Sequence, residues 1–326
     1  MVKREEGRLI AVVGGSGFVG RHTVRALARR GFRVRAVVRR PDLAGYLQPM
    51  GSVGQIHAVQ GNVRFPDSIA RALEGVDGVV SLVGILGKSG AQTFDSIHVA
   101  GARTVARAAR EAAAQHLVHV SAIGASSNSA GQYGRTKAQG EAAVLEAFPE
   151  AVILRPSLIF GPEDSLFNRF AAMARTAPVL PLIGGGRTRF QPVYVGDVAA
   201  AIANVCEGAG KPGAIYELGG PEVLNFRALL DRVQEHAGRS RGYLPLPFWL
   251  AKLVAALTAP LPNALRPLTV DQVRMLQADN VVSDAATKEG RTLQGLGVHG
   301  PHAIDTIVPT YLESYRAKGQ YSHYRG

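Results

Sequence analysis

With 326 residues, 46% hydrophobic and 19% charged, the chain suits one or two folded domains with a sizeable core, which excludes a disordered protein. Lys and Arg number 37 against 25 Asp and Glu, and the net +12 favours anionic partners: a phosphorylated cofactor, an acidic protein or an anionic membrane surface. No nucleic acid is expected among them, because the arginines are scattered without a recognition motif, and no window reaches the roughly 18 apolar residues of a spanning helix.

Met1 to Gly7 leads into an apolar run too short for a signal-peptide core. That run, Leu9 to Val13, reads as a buried parallel strand, and Gly14-Gly15-Ser16-Gly17 follows as a turn into a helix starting near Phe18. Gly14 permits the tight turn, Gly17 lets the backbone approach a pyrophosphate, and Gly20 lets the helix pack on the strand. The helix N-terminus then offers its N–H groups and positive dipole end to phosphates. The helix ends at Arg29-Arg30-Gly31, and a second strand runs from Phe32 to Val38.

An NAD site places an acid about 20 residues past the glycine loop, on the ribose 2′-hydroxyl. Here Val38-Arg39-Arg40 stands in that place, and the first acid is Asp42. A carboxylate repels a 2′-phosphate, whereas a guanidinium bonds it, often bidentately. Arg39 and Arg40, with Arg21 directly after Gly20, therefore point to NADP(H) over NAD(H). Their other reading is a solvated strand end.

A third strand, Gln55 to Val59, leads to Gly61-Asn62-Val63, where Asn62 is placed to bond the adenine amine. A short helix, Ser68 to Glu74, precedes a fourth strand, Gly78 to Gly84, whose small terminal residue suits close approach of a dinucleotide. Phe94 to Gln115 reads as one alanine-rich helix, and His116 to Ser121 as a fifth strand. This alternation defines an α/β fold, a doubly wound parallel sheet of Rossmann type. Tyr133-Gly134-Arg135-Thr136-Lys137 opens a helix reaching about Phe148, with Tyr133 and Lys137 on one face. A lysine cation beside a phenol favours the phenolate and brings tyrosine proton transfer nearer neutral pH. Lys137 is also placed to bond the nicotinamide ribose, and Ser121 to polarise a substrate carbonyl. Alone, Tyr-x-x-x-Lys reads as a solvated helix face; after the fifth strand of this fold it reads as an active-site pair.

Further on, Phe167 to Thr176 reads as an amphipathic helix, and Pro178 to Arg189 as a loop carrying Gly184-Gly185-Gly186. Phe190 to Tyr194 reads as a short strand, and Asp197 as the cap of a helix from Val198 to Cys206. Cys206 is the only cysteine, which excludes an intrachain disulfide or a cysteine-built zinc site and suits a reducing compartment. A strand is expected over Ile215 to Leu218, and a helix capped by Asn225 toward His236. The stretch 244–262 carries Leu246, Leu250, Leu253 and Leu257 on one helical stripe, beside Trp249 and Lys252 and bracketed by prolines. It reads either as core or as a docking face for a partner or the bilayer interface. Thr269 with Gln272 forms a capping-box pattern for a helix from Val270 to Ala278, and the tail from Thr306 reads as polar and solvated.

The chain resembles the extended and atypical short-chain dehydrogenase/reductase superfamily, of the NAD(P)-dependent epimerase/dehydratase kind. The residues in family order are Gly14-x-x-Gly17-x-x-Gly20, Asn62, Ser121, Tyr133-x-x-x-Lys137 and Arg155-Pro156-Ser157-x-x-Phe160-Gly161-Pro162. Within it, the chain is similar to the nucleotide-binding accessory subunits of respiratory NADH:ubiquinone oxidoreductase (complex I) and their bacterial relatives. Ser81-Leu82-Val83-Gly84, His119-Val120-Ser121-Ala122, Phe148-Pro149-Glu150-Ala151 and Gln191-Pro192-Val193-Tyr194-Val195-x-Asp197-Val198 carry that narrower match.

The resemblance implies a dinucleotide domain over 1–155, with 190–208 returning to it, and a smaller, mostly helical lobe from 156–189 and 209–326. It adds Phe18, Val19, Val63, Val83, Gly84 and Pro156 to the residues expected around the cofactor. It implies a tightly held NADPH, complex I subunits as partners, and a peripheral place on the cytoplasmic side of a bacterial inner membrane, or the cytoplasm. Mitochondrial members have degraded catalytic positions, whereas this chain keeps Tyr133 and Lys137; active epimerases often carry a second serine where Ala122 stands. An accessory subunit that holds nucleotide for stability or assembly is the first reading. An NADP(H)-dependent oxidoreductase on a small carbonyl or quinone-like substrate is the second, and a nucleotide-responsive sensor the third.

Overall fold

The computed structural model describes residues 7–259 and 268–316. In chain order the first part runs β1 (Leu9–Val13), α1 (Phe18–Arg29), β2 (Arg33–Val38), β3 (Ile56–Gln60), α2 (Pro66–Leu73) and β4 (Gly78–Ser81). A π-helical turn (Asp95–Gly101) enters α3 (Ala102–Glu111), followed by β5 (His116–Val120), α4 (Gln132–Ala147) and β6 (Val152–Pro156). Then come β7 (Ile159–Phe160), α5 (Leu166–Thr176), β8 (Val179–Ile183), β9 (Arg189–Phe190), β10 (Val193–Tyr194) and α6 (Val195–Cys206). β11 (Ile215–Leu218), β12 (Leu224–Asn225), α7 (Phe226–His236), β13 (Gly242–Leu246), α8 (Phe248–Leu257) and α9 (Val270–Met275) follow.

The chain forms two compact units. The first takes the residues up to Pro156, then Val195–Leu218 and Val282–His299. Its seven strands lie in the order β11-β6-β5-β4-β1-β2-β3, all parallel. Valine and isoleucine dominate because both faces of such a sheet are covered. Ala11, Val13, Val79, Leu117 and Ile153 pack with residues of α2, α3 and α4, while Ile10 and Val12 of the same β1 are equally buried. Helices α1 and α6 pack against one another. The strands place their C-terminal ends, and the loops after them, at one edge, where ligands bind in doubly wound sheets.

The second unit takes Ser157–Tyr194, Gly219–Val281 and the chain from Gly300. It is mostly helical, with three two-stranded ribbons: β7 with β10, β9 with β12, and β8 with β13. Among the described residues three cores are built there, one of Phe160, Phe167, Leu229, Val233, Val308 and Leu312, another of Ile183, Ala251, Ala255 and Val273, and a smaller one of Leu182, Phe226 and Leu230.

Several sequence expectations are corrected. The 209–218 and 282–299 segments belong with the dinucleotide unit, because β11 extends its sheet and Arg291 bonds back to the Ile215 carbonyl at 2.6 Å. The stretch 178–189 is not all loop: β8 pairs in parallel with β13, a partner some sixty residues later that no local pattern reveals. Its Pro181 is tolerated because a two-stranded ribbon leaves an open edge. Asp197 is not a cap, since α6 begins at Val195 and Asp197 lies buried in its first turn. The helix expected to reach Gln115 ends at Glu111, where Ala113 turns into the left-handed region and Ala114 N bonds back to Ala109 O. The tail is not simply solvated, because Val308 and Leu312 are fully buried; residues 317–326 lie outside the described ones. The Asn225 cap and the Thr269–Gln272 capping box are present.

A β-carbon at Gly20 would press into the Gly14 carbonyl oxygen and the Gly15 backbone, far inside van der Waals contact. Gly20→Ala is therefore expected to cost about 1–3 kcal/mol of stability. Gly45→Ala, with open space around it, should change stability by less than about 0.5 kcal/mol. Urea denaturation of both variants checks this, and equal stabilities would contradict the close-packing role.

Candidate nucleotide site

The phosphate end of the site follows from the backbone of 14–20. Gly14 has φ +93°, and its N–H donates to the Val37 carbonyl at 2.9 Å, which joins β1 to the neighbouring β2. Gly17 N donates to Gly14 O at 3.0 Å, and Gly17 caps α1 with no side-chain bond of its own. The first N–H groups of the helix, at Phe18 and Val19, thus lack a side-chain acceptor at the cap and suit an anion. A groove of about 210 Å³ runs across the strand ends. Gly14, Gly17, Arg39, Asn62, Val63, Val83 and Gly84 line it, joined by Ser16, Arg64 and Gln92. Phe18, Val19, Gly20, Arg21, Arg40, Ser121, Tyr133, Lys137 and Pro156 are not in its lining.

The two strand-end arginines differ. Arg39 Nη1 donates to Gln92 Oε1 at 3.1 Å, across the groove. Arg40 is held by Asp42 in an exposed two-pronged ion pair, with Nη2 to Oδ2 at 2.7 Å and Nε to Oδ1 at 3.0 Å. Arg21 lies 5.1 Å from the Tyr46 ring centre and donates to the Ser16 carbonyl at 3.4 Å, while the Tyr46 hydroxyl donates to the same carbonyl at 2.8 Å. Asn62 Oδ1 accepts the Arg64 N–H at 3.1 Å, so part of its acceptor capacity is already used locally.

At the other end, α4 carries Tyr133 and Lys137. Lys137 is buried, and Nζ donates to the Val120 carbonyl at 3.0 Å. Burial pulls its ammonium down to about 8, against the attraction of Glu141, which is itself paired with Arg155 at 2.6 Å. Tyr133 meets the rings of Phe94 and His98 edge-on, at 6.1 and 5.3 Å. Burial pushes its phenol up to about 12. This corrects the expectation of a phenol brought toward neutrality: desolvation dominates, and the Lys137 ammonium is engaged by the Val120 carbonyl. Ser121, which follows Val120, is buried with an Oγ that has no hydrogen-bond partner among the described residues. Pro156, also buried, accepts the Ile123 N–H through its carbonyl at 3.0 Å.

His98 was not foreseen. Its Nε2 accepts the Ile85 N–H at 3.1 Å, which leaves Nδ1 as the donor to Thr136 Oγ1 at 3.0 Å. Burial, with the Lys137 charge adding, brings it down to about 3, so it is neutral. It ties the loop after β4 to the helix of Tyr133 and Lys137. His98 and Gln92 sit in segments where nothing in a single sequence marks them; Tyr46 lies in a glycine- and proline-rich connection. Among the described residues no cluster suits a metal ion.

The residues present fit a dinucleotide. The glycine loop leaves the first N–H groups of α1 without a side-chain acceptor at the cap, and the Ser121 Oγ is buried without a hydrogen-bond partner among the described residues. Gly84 lies beside Lys137 and His98: a β-carbon there would sit 3.7 Å from Lys137 Nζ and 3.8 Å from His98 Nε2, ordinary contact distances. Fold and groove together define a Rossmann-type nucleotide-binding protein. The chain belongs to the NAD dependent epimerase/dehydratase family, which residues 10–219 match. It is 35% identical over 324 residues to the mitochondrial NADH dehydrogenase [ubiquinone] 1 alpha subcomplex subunit 9 of Arabidopsis thaliana, covering 96% of this chain and 79% of that one. It is 33% identical over 198 residues to the ceramide reductase of Caulobacter vibrioides, covering 61% of each. In fold it is similar to the Citrobacter sp. triphenylmethane reductase solved with NADP(H), with a TM-score of 0.72 at 18% identity, covering 93% and 99% of the two chains.

Lys137 supplies a pH signature. Its proton is held less tightly in the folded chain than in the unfolded one, whose lysine keeps the ordinary value near 10.5. Between about 8 and 10.5 the unfolded state therefore binds more protons, and stability rises with pH relative to a variant lacking the amine. Wild type minus Lys137→Met, measured by denaturant unfolding at pH 7.5 and pH 10, is expected to shift in favour of wild type. A flat difference would contradict a desolvated ammonium.

Proposed function

We propose that this chain is an NADP(H)-holding accessory subunit of a respiratory NADH:ubiquinone oxidoreductase, in which the nucleotide stabilises fold or assembly. The observation that carries the reading is 35% identity, sustained over 96% of the chain, to a protein named as such a subunit. The phosphate preference rests on Arg39 lining the groove and on the absence of an acid at the end of β2. Gly14, Gly17, Phe18 and Val19 would take the pyrophosphate, Asn62 and Val63 the adenine, and Val83, Gly84, Pro156 and Lys137 the nicotinamide half. A bound nicotinamide supplies hydride chemistry; what this chain adds is a desolvated phenol that gives up its proton reluctantly, which supports slow or absent turnover.

The reading also places the chain at a membrane face, as a peripheral component. Among the described residues no helix is long and apolar enough to cross a membrane. The face for docking is α8. Its buried side is Ala251 and Ala255, while Trp249, Leu253 and Leu257 are 67%, 48% and 70% exposed, and Leu246 and Leu250 are half-buried. Packing within the lobe thus leaves half of the leucine stripe outside, and residues 260–262 of the same stretch lie outside the described ones. An apolar patch with one lysine and a tryptophan suits the wet edge of an anionic bilayer or a membrane-bound partner.

An active oxidoreductase is the second reading, favoured by the orphaned Ser121 hydroxyl and by the reductase among the relatives. Mild purification from the native membrane should bring down complex I subunits, and their absence would overturn the first reading. A screen of carbonyls and quinones should find no rapid turnover; rapid turnover abolished by Tyr133→Phe would install the second. Leu253→Glu with Leu257→Glu should move the protein from the membrane fraction to the soluble one with its fold intact. Retention in the membrane fraction would remove α8 as the docking face.

A further inference from the structure

Arg39 and Arg40 stand side by side at the end of β2, yet their charges are treated differently. Asp42 grips Arg40 with both carboxylate oxygens, in solvent. Arg39 is held by Gln92, whose amide oxygen directs the guanidinium without cancelling its charge. Arg39 and Gln92 both line the groove; Arg40 does not. The turn that presents Gln92 is tightly built. Gln92 N donates to Ser89 O at 3.0 Å, Ser89 N returns to Gln92 O at 3.1 Å, and Gly90 takes φ +53° at the corner. Ser96 Oγ donates to the Ala91 carbonyl at 3.2 Å, which pins the turn to the helix that follows.

We propose that Gln92 is a specificity-determining residue for the nucleotide, holding Arg39 over the groove as an uncompensated cation where a 2′-phosphate is drawn. The proposal rests on the NADP(H) reading above and assigns its selectivity to a residue on a different loop. A long, exposed arginine otherwise samples many rotamers, so an acceptor fixed by its own turn concentrates the charge in one place. The chemistry of that acceptor matters. A glutamate at 92 would neutralise Arg39 as Asp42 neutralises Arg40, would repel a 2′-phosphate, and would accept bonds from a plain ribose diol.

The test is calorimetric titration of the full chain, stripped of nucleotide, with NADPH, NADH and 2′,5′-ADP. Wild type should bind NADPH more tightly than NADH. Gln92→Glu should lower affinity for NADPH and 2′,5′-ADP about tenfold or more, with NADH within about threefold of wild type, as loss of one charge-assisted contact predicts. Gln92→Ala should show a smaller loss in the same direction, and it should have no further effect in an Arg39→Ala background. Arg40→Ala should leave the NADPH/NADH ratio unchanged. If wild type prefers NADPH but both Gln92 variants keep the wild-type ratio, the role of Gln92 is refuted and the NADP(H) reading stands. If wild type binds NADH as tightly as NADPH, that reading falls, and this proposal with it.

Discussion

The backbone of Gly20 lies against the Gly14 carbonyl and the Gly15 backbone with no room for a side chain. That approach seats α1 directly on the end of β1, and the rest of the first unit is arranged about it. The turn is tied to β2 through Gly14 N and Val37 O, which joins the start of α1 to the arginine-bearing strand end. The groove beside them is walled on its far side by Val83, Gly84 and Ile85.

The cluster behind Gly84 is governed by desolvation. Lys137, His98 and Tyr133 all hold their less charged forms more firmly than in water, and each shift has burial as its leading cause. The Glu141–Arg155 pair beneath Lys137 supplies one compensating anion inside the unit. Such a site binds by shape and by a few fixed donors. Lys137, pulled down to about 8, changes its charge in mildly alkaline solution. Burial pushes the Tyr133 phenol up, which keeps it protonated at neutrality.

The glycine loop, the first five strands of the sheet and the i, i+4 relation of Tyr133 and Lys137 were legible in the sequence, because apolar runs, glycine spacing and helical periodicity are local signals; β6 was not read as a strand, and β11 was read as one but not as part of this sheet. What was not legible depends on distant partners. β8 needs β13, a strand that itself carries proline, before it reads as a strand at all. The buried tail residues Val308 and Leu312 look polar in context because their apolar neighbours come from α5 and α7. Gln92 acts through a bond to Arg39, 53 positions away, and His98 through bonds to Ile85 and Thr136, 13 and 38 away, relations no periodicity encodes. The direction of the Tyr133 shift was misjudged for the same reason: spacing places a lysine near a phenol but says nothing of how dry the pair is.

The account stands or falls on what the groove holds in the native protein. Protein purified mildly from its own membranes, denatured with acid and examined by mass spectrometry of the released nucleotide, gives that directly. The account predicts stoichiometric NADP(H), retained through purification. Release of NAD(H), or of no nucleotide from fully folded protein, would contradict it.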